Sequence, residues 1–192
     1  MVATTEKQYL EIFRRLSKEE QHLVNQSLQR LVTEQEEPSS NREASLAEAI
    51  AGGSFSRQER IQLEMATLAQ HFQRRRQLLA GAFTASQVAE EILGTSRQTP
   101  HDRVAHQSLL AVRDNGKLRF PYWQFDPEGP DAVIEGFPEV LRALQLSDYA
   151  KLVWLTRANP YLENLTPLEA LKQGKKEQVI EQARSVQASQ WS

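Results

Sequence analysis

Between Ser96 and Arg119 the chain gathers side chains suited to holding a polyanion. Ser96, Arg97, Gln98, Thr99, His101 and Arg103 fall in one eight-residue stretch, and Arg113, Lys117 and Arg119 follow closely. Arg and Gln can pair bidentately with guanine and adenine edges in a major groove. Arg and Lys can neutralise phosphates. Bond-making chemistry has no comparable set. No nucleophile–base pair, phosphate-cradling glycine loop or metal-ligand spacing is visible. The four histidines stand far apart and cysteine is absent. The expectation is a binding protein, not an enzyme, with no metal site and no cofactor.

Those residues need elements to position them. Thr84-Ala85-Ser86-Gln87 has the form of a capping box, which opens a helix. Val88, Ala89, Ile92 and Leu93 give it an apolar stripe. Gly94 can take the left-handed conformation that ends a helix. A second helix follows at once, so the pair reads as a helix-turn-helix. Pro100 leaves two starts open for that second helix. Either Ser96 caps it and Pro100 sits in the first turn, or Thr99 caps it with Pro100 at the first helical position. The second choice leaves about two turns of helix and moves Arg97 and Gln98 onto the preceding turn. Asn115-Gly116 suits the two positive-φ positions of a tight hairpin. Leu110 and Val112 precede it, Leu118 and Phe120 follow it, and Arg113, Lys117 and Arg119 ride on it. Pro121 cannot donate to a strand ladder and should end this two-stranded wing.

Charge segregates with this unit. Residues 74–119 carry eight Lys/Arg against four Asp/Glu, a net of +4, while residues 1–73 and 120–192 are each at −3. A basic segment between acidic ones is the footprint expected of phosphate binding. The lack of cysteine excludes disulfides and fits a reducing cytosol, so the expected location is cytoplasmic. No apolar run is long enough for a membrane span, and the N-terminus lacks the pattern of a secretory signal.

The flanks read as helical. Tyr9, Leu10, Ile12, Phe13 and Leu16 form a stripe, and Ser17 to Glu20 is a capping box for a helix through Val32. Residues 34–42 read as a linker. A short helix is expected from Ser45 to Gly52-Gly53. Ser56 to Glu59 opens a longer helix ending near Arg74, Arg75 and Arg76. That arginine run is either a solvated helix end or a phosphate contact. After Phe125 comes a turn-rich segment containing Val133, Ile134 and Phe137. Helices then start near Pro138, at Ser147-Asp148, at Thr166-Pro167 and at Lys175, with Asn159-Pro160 as a break and Gly174 as a stop.

The string WLTRANPYLENLTPLEALKQGKKEQVIEQAR, residues 154–184, resembles the C-terminal toxin-binding domain of the MbcA/ParS/Xre antitoxin family. The shared pattern is a Trp-Leu helix, an Asn-Pro turn, a Thr-Pro-Leu cap, a Leu before glycine and a Val-rich last helix. GKLRFPYWQFD, residues 116–126, is similar to the wing-to-linker passage of members with an excisionase-like helix-turn-helix. The likeness spans roughly residues 84–186. It implies a protein that binds DNA at its own operator and covers the active site of a RES-type toxin that consumes NAD. By motif position it implies partner contacts at Asn159, Pro160, Leu162, Thr166, Pro167, Leu168, Gly174 and Val179. Three features depart from the pattern: Asn164 stands where many members have Gly, Pro100 interrupts the usual recognition helix, and the long N-terminal third is not the compact helix-turn-helix that begins many members.

The expected fold is mainly α. A helical N-terminal region (1–82), the expected seat of a homodimer, precedes a winged helix-turn-helix with a small β-hairpin (83–125). A helical antitoxin-like domain (126–192) follows. The expected function is an antitoxin-like DNA-binding repressor. The alternative is a stand-alone regulator, or a protein-interaction scaffold, without a toxin.

Overall fold

The computed structural model describes residues 11, 13–33 and 57–188. The chain divides into two compact units, Met1–Gln77 and Leu78–Ser192. It is mainly helical, with one three-stranded antiparallel sheet. Among the described residues no helix is long and apolar enough to cross a membrane.

In the first unit, α1 (Lys18–Thr33) begins at the anticipated capping box. The Ser17 amide donates to Glu20 Oε2 at 2.8 Å, and the Glu20 amide donates to Ser17 Oγ at 3.2 Å. The long α2 (Arg57–Leu78) carries the arginine run near its end. That run does not stand wholly in solvent: Arg75 is buried, and Arg76 Nη1 lies 4.0 Å from the buried Glu20 Oε1. Most of the expected 5–16 helix, the 34–42 linker, the Ser45–Gly53 helix and the Ser56 cap lie outside the described residues.

The second unit is built around strands β1 (Phe83–Thr84), β2 (Val112–Asp114) and β3 (Lys117–Phe120), in the order β1-β3-β2. Asn115 and Gly116 take φ 51° and 74°, so the hairpin turn has both positive φ values its residues favour. The edge strand β1 was not expected: it is only two residues long and doubles as the cap of the next helix. Helix α3 (Ala85–Gln87) runs on as a π-helical segment, Val88–Leu93. Gly94 ends it at φ 59°. Helix α4 is Thr99–Ala105.

Register decides what each sheet face meets. Directly opposed residues share a face. Phe83 and Phe120 pair, as do Arg113 and Leu118, on one face; Thr84, Arg119 and Val112 share the other with Asp114 and Lys117. The first face packs Phe120 and Leu118 into a small core with Val88, Leu109, Ala111 and Val133. The second puts Val112, with Leu110, into a larger core formed with the C-terminal helices. Those are α5 (Phe137–Ala143), α6 (Asp148–Leu155), α7 (Pro167–Lys172) and α8 (Lys176–Ala188). Segments 83–125 and 126–192 therefore pack into one compact unit, with Val133 in the small core and the next residue, Ile134, in the large one.

Candidate nucleic-acid interface

The capping box at Thr84 forms as its sequence dictates. The Gln87 amide donates to Thr84 Oγ1 at 3.3 Å, and the Thr84 amide donates to Gln87 Oε1 at 3.0 Å. This fixes the start of α3 beside the hairpin. Helix α4 begins at Thr99, with Gln98 as the flanking residue and no side-chain cap. Neither expected cap is used in full, but the short helix is the one observed, and Arg97 and Gln98 lie on the turn before it. Pro100 sits in the first turn, where its missing N–H has no intrahelical acceptor to lose.

Between these elements lies a groove of ≈ 520 Å³. Thr84, Ala85, Ser86, His101, Arg113, Gly116, Lys117 and Leu118 line it. The start of α3, the first turn of α4 and the hairpin thus each supply a wall. His101, Arg113 and Lys117 bring basic groups to it, Thr84 and Ser86 bring hydroxyls, and no carboxylate is among the lining residues. Arg113 Nη1 donates to the Gly116 carbonyl at 3.4 Å, which holds the guanidinium along the hairpin.

The remaining candidates do not gather there. Arg97 donates from Nε and Nη2 to Glu90 Oε1 at 3.1 and 3.0 Å. Gln98 Nε2 donates to Asp102 Oδ1 at 2.9 Å. Ser96 Oγ and Thr99 Oγ1 lie 3.3 Å apart. These four line the turn and helix start, outside the groove. Arg119 shares one sheet face with Lys117 and Thr84 while Arg113 stands on the other, so the hairpin does not present its three cations as one row, and Arg119 is not among the residues lining the groove. Arg103 points away from the hairpin: Nη1 donates to the Asp131 carbonyl at 2.9 Å and Nε to Ser108 Oγ at 3.4 Å. Burial lowers its pKa, and the Asp131 charge opposes that.

The C-terminal candidates separate by burial. Leu162, Pro167 and Val179, expected to contact a partner, are buried in this structure. Leu168 packs partly buried against the same core. Thr166 and Glu169 close a capping box, with the Glu169 amide 3.1 Å from Thr166 Oγ1. Gly174, at φ 75°, ends α7; its amide meets the Leu171 carbonyl, and the Lys175 amide that of Ala170, both at 2.9 Å. Asn159 Oδ1 accepts from the Tyr161 amide at 2.9 Å. That leaves Pro160 and Tyr161 as the outward part of the loop, Tyr161 at 81% exposure. Asn164 takes φ 62°, a left-handed backbone that Asn tolerates better than most residues, in place of the glycine of the resembled pattern.

Two residues went unnoticed in the sequence. Gln124 is fully buried and acts as a substitute peptide: Oε1 accepts from the Leu110 amide at 2.8 Å, and Nε2 donates to the Leu110 and Pro121 carbonyls at 2.9 and 3.0 Å. Ser86 lines the groove although it looked like filler within a capping box. Only three-dimensional placement distinguishes either from an ordinary polar residue.

No protein-family profile and no curated protein matches the chain. Among solved structures it is similar to one described as the NMR structure of Rv2175c, with 23% identity and a TM-score of 0.47 over 55% of this chain and 80% of that one.

Proposed function

We propose that residues 83–120 are a winged helix-turn-helix that binds duplex DNA. The π-extended α3, the turn at Gly94 and α4 are the two helices and their link, and the β2–β3 hairpin is the wing. One observation carries this reading: His101, Arg113 and Lys117 line a single acid-free groove between α4 and the hairpin. A phosphate backbone in that groove would gain charge-assisted hydrogen bonds from Arg113 and Lys117. The turn residues Arg97 and Gln98 would face base edges beside it.

The test is a salt titration of the full chain with labelled duplex DNA. Each phosphate-contacting cation contributes about one unit to the slope of log affinity against log salt. Arg113→Ala and Lys117→Ala should each lower the slope by about that much. Arg119→Ala, outside the groove lining, should leave it close to wild type. No binding at low salt, or unchanged slopes in both groove variants, would remove the DNA reading and favour a protein-only scaffold.

A second limb of the reading is an antitoxin role, in which the Asn159–Thr166 loop docks on a RES-type toxin and the chain represses its own operon. The outward Tyr161 ring supports it, because an exposed aromatic on a loop braced by its own backbone suits an interface anchor. Co-expression with a RES-type toxin encoded beside this chain should yield a complex that Tyr161→Ala weakens at least tenfold. A complex indifferent to Tyr161→Ala would exclude this loop as the anchor.

A further inference from the structure

Arg103 belongs by sequence to the DNA-facing set, but its surroundings give it another task. It leaves α4 and reaches across 28 positions of chain to the Asp131 carbonyl, while its Nε bonds Ser108 Oγ and that hydroxyl donates back to the Arg103 carbonyl at 3.1 Å. The turn it grips is unusual. Asp131 and Ala132 both hold left-handed backbone, at φ 55° and 58°, a conformation in which side chains other than Gly and Asn/Asp crowd the backbone. The surrounding chain fixes that turn. The Asp126 amide donates to the Ala132 carbonyl at 3.1 Å, the Val133 amide to that of Pro130 at 3.2 Å, and Phe125 bridges Val133. Immediately beyond it, Val133 is buried in the core that also holds Val88, Leu109 and Phe120.

We infer that Arg103 is a positioning residue: it ties α4 to the strained 131–132 turn and so sets the stance of α4 against the hairpin, without contacting nucleic acid itself. The inference deepens the DNA-binding reading and rests on it for its functional consequence. The tie itself can be read in the free protein. Strained, over-determined backbone of this kind is held in place by the structure around it. Here the guanidinium carries a side-chain hydrogen bond from α4 to that turn. Two anchor points, Ser108 and Asp131, define a direction, which a single contact would not.

The experiment compares the full chain with Arg103→Ala, Arg103→Lys and Asp131→Asn. Residual dipolar couplings of backbone amides in the free protein report the angle between α4 and the β2–β3 hairpin. Arg103→Ala should shift the α4 couplings relative to the hairpin and speed amide exchange at Ala132 and Val133 at least tenfold. Arg103→Lys, which can still reach the carbonyl, should recover most of that protection. Asp131→Asn keeps the carbonyl acceptor and removes only the charge that assists the guanidinium, so it should change both far less than Arg103→Ala. In DNA titrations Arg103→Ala should weaken binding about tenfold with an unchanged salt slope. A slope reduced by about one unit, with couplings and exchange unchanged, would make Arg103 a phosphate contact and overturn the inference. If wild type binds no DNA, the functional reading fails, whereas the couplings and exchange still decide the tie: unchanged values in Arg103→Ala overturn it. Should Arg103→Ala fail to fold, Arg103→Lys against Asp131→Asn carries the same comparison, and loss of Val133 protection in Asp131→Asn would overturn it.

Discussion

The two faces of the β1-β3-β2 sheet meet very different neighbours. On one, Phe83, Leu118 and Phe120 join a small core, and beside it an open groove is lined by His101 with Arg113 of this face and Lys117 from the hairpin's other face. On the other, Val112 and Leu110 enter a larger core in which α6 and α7 begin at the side-chain caps Ser147 and Thr166. Residues of the kinds expected to bind something stand on both sides. On the groove side several of them end in a concavity without a carboxylate. On the helical side most end as caps or core. The contrast teaches that a motif of helix-boundary residues specifies architecture first, whereas the basic side chains of the hairpin and of α4 also line an open concavity.

The sharpest way to break the contrast is to treat a C-terminal candidate as a surface residue. Leu162 is 1% exposed within the large core. Leu162→Ala should cost about 2–5 kcal/mol, the range for deleting a buried leucine side chain and leaving part of its cavity. Urea unfolding of the full chain, followed by tryptophan fluorescence, measures it. A loss below about 1 kcal/mol would return Leu162 to the partner-facing set, since surface substitutions seldom cost more.

How much of this was readable beforehand follows the range of the physics involved. Local rules served well. Thr84-x-x-Gln87 became a capping box, Thr166-Pro167 became a helix start, Asn115-Gly116 became the hairpin turn, and Gly94 and Gly174 took the left-handed backbone assigned to them. These are decided within a few residues, so sequence spacing suffices. Placement across the fold was not readable. Nothing local shows that Arg103 reaches Asp131, that Arg119 lies across the sheet from Arg113, or that Leu162 and Val179 point inward. The two-residue β1 was missed for a related reason: its pairing with β3 is non-local, and its residues already satisfied a helix-start pattern. Of the groove, the basic side chains were legible and their union with Thr84 and Ser86 was not.

Gln124 sharpens the comparison because it stands between the two cores, completing the edge of Leu110 with its side-chain amide. Gln124→Leu keeps similar bulk and removes all three hydrogen bonds. The Leu110 amide and carbonyl would then be left without this partner in the interior, at about 1–3 kcal/mol for each unsatisfied group. The expected loss is about 2–4 kcal/mol, again from urea unfolding. Faster amide exchange at Leu110 should accompany it. A neutral substitution would mean that water or a shifted strand can replace the side chain, and that the two cores are not joined through Gln124.

The smallest expected effect concerns pH, and it belongs to the helical side alone. Lys176 Nζ donates to Glu139 Oε1 at 2.9 Å, tying α8 to α5. The hydrogen bond from that ammonium, helped by a backbone bond and by Arg142, holds the Glu139 carboxyl below the usual carboxylate range, while partial burial works the other way. A carboxyl lowered in the folded state binds fewer protons there than in the unfolded chain between the two values. Its contribution is therefore fully present above the unfolded value, near pH 4.3 in model peptides, and is lost as pH falls through the folded one. The side chains remain 40% and 30% exposed, so solvent screening limits the effect to a few tenths of a kcal/mol. Glu139→Gln should accordingly be slightly less stable than wild type at pH 7, and the gap should close as pH falls through the folded value. Urea midpoints across that range measure the difference. A gap that stays constant or widens on acidification would show that Glu139 acts by packing, and that the α5–α8 contact does not depend on its charge.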